Sequence, residues 1–252
     1  MSTVKPRVAV VTGGFGGIGG ATRAELTLQG FKAISIDVQT RADDPCQYAC
    51  DIADFDALDD VLSRIAAEHG LIEVLVNNAA VCHFKPMMDI TPSMWDRSYS
   101  VNVRAMFFAS QHVARRLIEA GKPGSIVNVA SAAGRAGSPY VDYGSSKAAV
   151  IGMTKSMGKA LAADGIRVNA VAPGQVITDM HRNLDPERQK FNFQLIPMKR
   201  SGQPEELARV IRLGNGRDSV KHADLQFTTR ADPANPGLSH TSRGFAVVSS
   251  RR

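Results

Sequence analysis

Arg7-Val8-Ala9-Val10-Val11-Thr12 runs directly into Gly13-Gly14-Phe15-Gly16-Gly17-Ile18-Gly19, and the reading of this stretch decides the fold. Its first half is a short, β-branched apolar run, which reads as a buried strand. Its second half is a glycine turn. An apolar-periodic segment from about Gly17 to Leu28 follows and stops at Gly30, which predicts a helix. Phe31 to Asp37 is apolar again, so residues 7–37 read as one βαβ unit. Glycines between a strand and a helix let the backbone approach a pyrophosphate where unpaired N–H groups favour negative charge. A tight turn with no ligand could use the same residues. Asp37, 18 residues after Gly19, favours a dinucleotide, because a carboxylate there can accept hydrogen bonds from both hydroxyls of an adenosine ribose. It would repel a 2′-phosphate.

The alternation continues beyond this unit. Asp54 to His69 predicts a helix and Ile72 to Val76 a buried strand, and Thr91-Pro92 opens a long helix with an N-cap and a first-turn proline. Ser125 to Val129 reads as a strand, Tyr143 to Ala163 as a helix, and Ile166 to Val171 as a strand closed by Pro173-Gly174. Strands alternating with helices predict an α/β fold, a doubly wound parallel sheet with helices on both faces. The 252 residues fit one domain. In such sheets ligands bind beyond the carboxyl ends of the strands.

Composition sets further bounds. Hydrophobic residues at 44% and charged residues at 21% are those of a soluble globular chain. No apolar run is long enough for a membrane span or a signal-peptide core, which predicts a cytoplasmic protein with no membrane partner. Cys46, Cys50 and Cys82 are odd in number and lack a framework or zinc spacing, so reduced thiols and no metal are expected. The net charge of +6 suggests nucleic acid only until it is located. Residues 212–252 carry seven basic side chains against three acidic ones, leaving the first 211 close to balanced, with no basic stripe interleaved with aromatics. No nucleic-acid partner is predicted.

Tyr143-Gly144-Ser145-Ser146-Lys147 sets a phenol and an ammonium four residues apart, on one helix face. A tyrosine needs a fixed cation nearby to carry protons at neutral pH, and Lys147 can supply it. Alone the pair is common enough to be a packed aromatic beside a solvated lysine. Ser131, at a strand end twelve residues earlier, can hold a carbonyl or alcohol oxygen, and Asn102 sits within the long helix.

The T-G-x-x-x-G-x-G spacing, Asn77-Asn78-Ala79-Ala80 and Tyr143-x-x-x-Lys147 together resemble the short-chain dehydrogenase/reductase family, over residues 7 to about 211. The resemblance implies a single-domain Rossmann fold and an oxidoreductase that moves a hydride between a nicotinamide cofactor and a secondary alcohol or ketone. It implies a tetrad of Asn102, Ser131, Tyr143 and Lys147. In it Tyr143 is the general acid/base, Ser131 orients the substrate oxygen, Lys147, with the cationic ring of the oxidised cofactor, lowers the tyrosine pKa and also binds the nicotinamide ribose, and Asn102 kinks its helix and holds a water. Thr12, Gly13, Phe15, Gly17, Ile18 and Gly19 would form the pyrophosphate turn. Asp51 and Ile52 would flank the adenine, Asn78 and Ala79 line the cofactor trench, and Pro173, Gly174, Val176 and Thr178 hold the carboxamide. NADP-preferring relatives place a basic residue where Gly16 or Val38 stands here, so NAD is expected, although Lys32 or Arg41 could reach a phosphate.

Ala133, His83 and Tyr140 are the candidate substrate contacts, with a partly buried structural histidine the equal alternative for His83. Residues 180–200, with Met180, Phe191, Phe193, Leu195 and Met198, are expected to form a lid. The resemblance departs at the C-terminus. Gly202 to Ile211 begins a helix that Arg212-Leu213-Gly214-Asn215-Gly216-Arg217 is expected to stop, and Ala223 to Phe227 faintly echoes a final strand with Thr228-Thr229 where glycines are usual. Residues 212–252 thus read as an atypical basic segment, folded, irregular or frame-shifted. The family implies a homotetramer, with a dimer as the alternative if that segment differs. Rival readings are a non-catalytic NAD-binding sensor or scaffold, a redox-assisted epimerase or dehydratase, and a 3-oxoacyl thioester reductase on the same fold.

Overall fold

The computed structural model describes residues 5–40, 44–182, 187, 194, 196, 198–215, 226–228 and 246–248. Eight strands form one sheet in the order β3-β2-β1-β4-β5-β6-β7-β8. They are β1 Val8–Thr12, β2 Lys32–Asp37, β3 Gln47–Ala49, β4 Ile72–Asn77, β5 Gly124–Val129, β6 Ile166–Ala172, β7 Gln226–Thr228 and β8 Ala246–Val248. The first seven run parallel and β8 is antiparallel to β7. The helices are α1 Gly17–Leu28, α2 Phe55–His69, α3 Pro92–Tyr99, α4 Met106–Glu119, α5 Ala133–Ala136, α6 Val141–Leu161, α7 Asp179–Arg182 and α8 Pro204–Asn215.

Strand β1 is buried on both faces, and its side chains alternate between two cores. Val8 and Val10 join Ile34, Leu62, Leu75, Leu117 and Ile126 on one side. Ala9 and Val11 join Leu26, Val74, Val127, Leu207 and Ile211 on the other. Each fully buried aliphatic side chain contributes about 1.5–3 kcal/mol, so the central strands are the most strongly held part of the fold. A buried polar seam crosses the first layer. Asn77 Nδ2 donates to Asn128 Oδ1 (2.9 Å) and to Ser110 Oγ (3.0 Å), and Asn128 Nδ2 donates to Thr154 Oγ1 (2.9 Å), tying β4 and β5 to α4 and α6.

The strand order reverses between β1 and β4. Thr12 is level with Ile36 and Asn77, and Asn77 with Asn128, so the carboxyl ends open on one side of the sheet. Every sequence motif lies there or on the helix that follows, because β1 feeds the glycine turn, β4 the Asn-Asn run and β5 Ser131.

Two expectations change. The three-residue strand β3 and the single-turn α5 carry no periodic signal and were not foreseen. The long helix expected from Thr91 is interrupted by a π-helical stretch, Ser100–Ala105, between α3 and α4. The last helix ends at Asn215, within the Arg212 to Arg217 run expected to stop it. Its end docks on the sheet: the Gly214 carbonyl accepts from Arg167 Nη1 (2.7 Å), Asn169 Nδ2 (3.2 Å) and Ser125 Oγ (3.3 Å), and Arg212 pairs with Glu25 of α1 at 3.1 Å. Gln226 and Phe227, at the faint strand echo, pair with β6. Ala223 to Leu225 and Thr229 lie outside the described residues.

Candidate active site

The glycine turn is shaped by steric need. Gly13 and Gly17 have φ of 65° and 55°, a region that favours glycine. Gly19 leaves no room at all: a Cβ there would stand 2.0 Å from the Gly13 carbonyl oxygen and 2.5 Å from Asn78 Nδ2. Thr12 Oγ1 accepts from the N–H groups of Asn78 (3.1 Å) and Ala79 (3.2 Å), while Asn78 Nδ2 donates to the carbonyls of Thr12 (3.1 Å) and Gly13 (3.0 Å). The ends of β1 and β4 are thereby locked together. The loop after β6 closes over the turn, with Thr178 Cγ2 3.2 Å from where a Cβ on Gly17 would sit. Ala132 donates to the Pro173 carbonyl at 2.8 Å.

Asp37 ends β2 beside the turn. Its Oδ2 accepts from the Phe15 N–H (3.0 Å) and its Oδ1 from the Gln39 N–H (3.2 Å), so the carboxylate is fixed. Farther along, Asp51 accepts from the Ala53 N–H (3.0 Å) and from Arg97 Nη1 (2.8 Å). The Arg97 hydrogen bond holds the Asp51 carboxyl below its ordinary pKa. Arg97 had no sequence signal, since only the fold brings α3 to the end of β3.

At the reaction centre Tyr143 and Lys147 stand on one face of α6, with Lys147 Nζ 5.8 Å from the centroid of the tyrosine ring. Lys147 is buried and donates to the Val129 carbonyl at 2.7 Å. Burial lowers its pKa from 10.5 to about 8. Tyr143 hydrogen-bonds Ser131. Burial nevertheless pushes the phenol up to about 12, the Ser131 bond pulling the other way and Cys82 adding to the rise. The lowering expected from Lys147 together with the oxidised cofactor's ring belongs to the loaded site, and in the protein alone desolvation is the largest effect on the phenol.

Asn102 lies in the π-helical stretch, fully enclosed. Its Oδ1 accepts from the Val81 N–H (2.8 Å) and its Nδ2 donates to the Val81 carbonyl and to Ser146 Oγ, each at 3.0 Å. The extra residue in the helical turn swings this side chain across to α6.

One cavity of about 870 Å³ joins these parts. Its wall holds Gly13, Phe15, Gly17, Ile18, Asp37, Asp51, Ile52, Asn78, Ala79, Ser131, Ala133, Tyr140, Tyr143, Lys147, Pro173, Gly174, Val176 and Thr178. Thr12, Gly19 and Asn102 stand behind that wall and shape it. His83 is not part of it either. Its Nδ1 meets Asp142 Oδ2 (3.1 Å) and Ser98 Oγ (3.2 Å), and Ser98 Oγ donates to Asp142 Oδ2 at 2.6 Å, so the ring anchors the loop after β4 to α3 and α6. Of the expected lid, Met180, Ile196 and Met198 line the cavity, whereas Phe191, Phe193 and Leu195 lie outside the described residues, as does Arg41. Cys82 and Phe84 also line it. Sequence reasoning weighed Cys82 only as a thiol and did not consider Phe84. The three cysteines are free, and no cluster able to hold a metal occurs among the described residues.

The residues fit a nicotinamide dinucleotide. Glycines whose side chains would fill the pyrophosphate cradle, a fixed carboxylate at the ribose position and a cavity running from Asp37 to Tyr143 are the features such a cofactor requires. The protein-family model described as "short chain dehydrogenase" matches residues 7–189. A 3-oxoacyl-[acyl-carrier-protein] reductase of Thermotoga maritima is 35% identical over 218 residues, covering 81% of this chain and 88% of that protein. D-threitol dehydrogenase of Mycolicibacterium smegmatis is 32% identical over 235 residues, covering 87% and 90%. Among solved structures, a putative NAD(P)-dependent gluconate 5-dehydrogenase from Beutenbergia cavernae superimposes with a TM-score of 0.80 at 28% identity, covering 87% of this chain and 94% of that one. With a match over most of its length and these motifs in place on the sheet, the chain belongs to the short-chain dehydrogenase family.

Proposed function

We propose that this protein interconverts a secondary alcohol and a ketone with NAD(H), Tyr143 carrying the proton. The chain is an oxidoreductase of the NAD(P)-dependent class, and the reading goes beyond that in cofactor and residue roles. The observation that carries it is the meeting of Ser131, Tyr143 and Lys147 at one end of a cavity whose other end is Asp37. Thr12, Asn78 and the glycine turn would hold the cofactor, which when bound supplies or accepts the hydride and, oxidised, a positive ring beside the phenol.

The chain's own groups manage the proton. Ser131 positions the substrate oxygen and donates to developing charge. Tyr143, neutral by burial, is a loaded acid for ketone reduction, and Lys147 in its cationic form stabilises the phenolate left behind. Asn102 acts on this group from behind, fixing α6 to the loop at Val81.

Asp37 supports NAD over NADP. Its carboxylate is held in place by two backbone N–H groups, and a 2′-phosphate there would meet a fixed negative charge. Arg23 of α1 is engaged with Asp44 at 2.6 Å and with the Ala33 carbonyl. We expect kcat/KM with NADH to exceed that with NADPH by at least about tenfold, and Asp37→Ser to erase that ratio, consistent with removal of one close like-charge contact. A tenfold preference of the native protein for NADPH would contradict the assignment.

We further propose a cytoplasmic homotetramer. No helix among the described residues is long and apolar enough to cross a membrane, and Trp95, Phe107 and Ile118 leave an apolar face exposed on α3 and α4. A monomeric mass in solution would overturn the tetramer.

A further inference from the structure

Phe84 is one of only two non-glycine residues with positive φ among those described, at 54°. A bulky side chain in this region is strained, and such strain persists only where the surroundings impose it. Here the loop after β4 is pinned at two points just before Phe84. Val81 is held by Asn102 through both its N–H and its carbonyl, and His83 is held by Asp142 and Ser98. The outcome is that the Phe84 ring faces the cavity and meets the Tyr140 ring edge to face, centroids 5.2 Å apart at 87°. Tyr140 caps α6, the helix that carries Tyr143. The strained residue therefore builds one aromatic wall across the substrate end of the cavity.

Among the described residues, the cavity wall beside Tyr143 is mostly apolar, with Ser131, Ser138 and Gln175 as its uncharged polar side chains apart from the tyrosines. Val81, Cys82, Ala132 and Ala133 line the cavity there and add no charged side chain. Of the charged side chains lining the cavity, Arg200 and Glu206 form a bidentate pair at 2.8 Å and 2.7 Å, and Arg97 pairs with Asp51 at 2.8 Å. A ketose brings hydroxyls on the carbons flanking its carbonyl, and each loses water on entry without gaining a partner from Val81, Cys82, Ala132 or Ala133. A flat apolar substituent has the opposite balance: it buries its surface against the aromatic wall.

We propose that Phe84, with Tyr140, determines specificity, selecting a ketone whose carbonyl carbon bears a flat apolar group, an aryl or cycloalkyl ketone, over a sugar-derived ketose. The inference rests on the oxidoreductase reading above and adds the substrate class. The test measures kcat/KM with NADH for acetophenone and for xylulose in the native protein, in Phe84→Ala and in Tyr140→Leu, with NADH binding followed alongside. The native protein should favour acetophenone by at least about tenfold, and the acetophenone-to-xylulose ratio should fall by about tenfold or more in each variant. Two variants on separate elements keep the test decisive if one fails to fold. A native preference for xylulose, reduction of neither compound, or an unchanged ratio in both variants overturns the inference. Failure of the underlying reading is distinguishable: NADH would then bind without being oxidised by any member of a wider panel of ketones, ketoses and 3-oxoacyl thioesters.

Discussion

Tyr143→Phe is expected to reduce kcat in ketone reduction by about 10⁴-fold, at the upper end of what a positioned general acid contributes, while the Kd for NADH changes less than about threefold. The substitution removes one oxygen and leaves the ring packed on α6. That oxygen is the group hydrogen-bonded to Ser131. Because burial raises the phenol to about 12, it is protonated throughout the neutral range, so the native enzyme always begins a reduction with its acid loaded. Fluorescence titration with NADH and steady-state turnover separate binding from chemistry. Near-normal turnover in this variant would remove Tyr143 from the reaction.

Lys147→Met should lower kcat/KM for reduction by about 10²- to 10³-fold, within the range of a charge that stabilises a developing anion in a site shielded from water. It should also change the pH profile. Burial lowers the lysine from 10.5 to about 8, so the cation is present below that value and lost as pH rises through it. Only the cationic form offsets the phenolate created when Tyr143 gives up its proton. Native kcat/KM for reduction should therefore fall as pH rises through about 8, and the methionine variant should be flat from pH 7 to 9. A lysine that serves only as packing would leave the profile of the variant unchanged.

The parts legible in the sequence share a physical cause. The glycine turn was readable because Gly13, Gly17 and Gly19 sit where a side chain would collide or the backbone is left-handed, and that requirement is local. The parallel sheet was readable from apolar runs such as Val8 to Val11, which are buried on both faces and need no partner identified. Tyr143 and Lys147 were readable because a helix fixes their spacing.

What escaped depends on distant contacts. The end of helix α8 is held where Arg167, Asn169 and Ser125, from two strands, converge on the Gly214 carbonyl. No local propensity reports that. Arg97 reaches Asp51 across 46 residues of chain, and between the two readings open for His83, substrate contact or structural histidine, only the contacts with Asp142 and Ser98 favour the second. The same holds for the tyrosine: a sequence reveals that a cation lies one turn away, but not that burial is the largest effect on the phenol in the protein alone.

The central claim is that a hydride crosses between the nicotinamide and a carbonyl carbon held beside Tyr143. It is tested most directly by following the hydride itself. NADH bearing deuterium at both C4 positions, incubated with the native protein and a ketone that it reduces, should give an alcohol with one deuterium on the carbinol carbon and none lost to water, and Tyr143→Phe should give no labelled alcohol. An alcohol without the label, or equal labelling by the phenylalanine variant, would contradict the account.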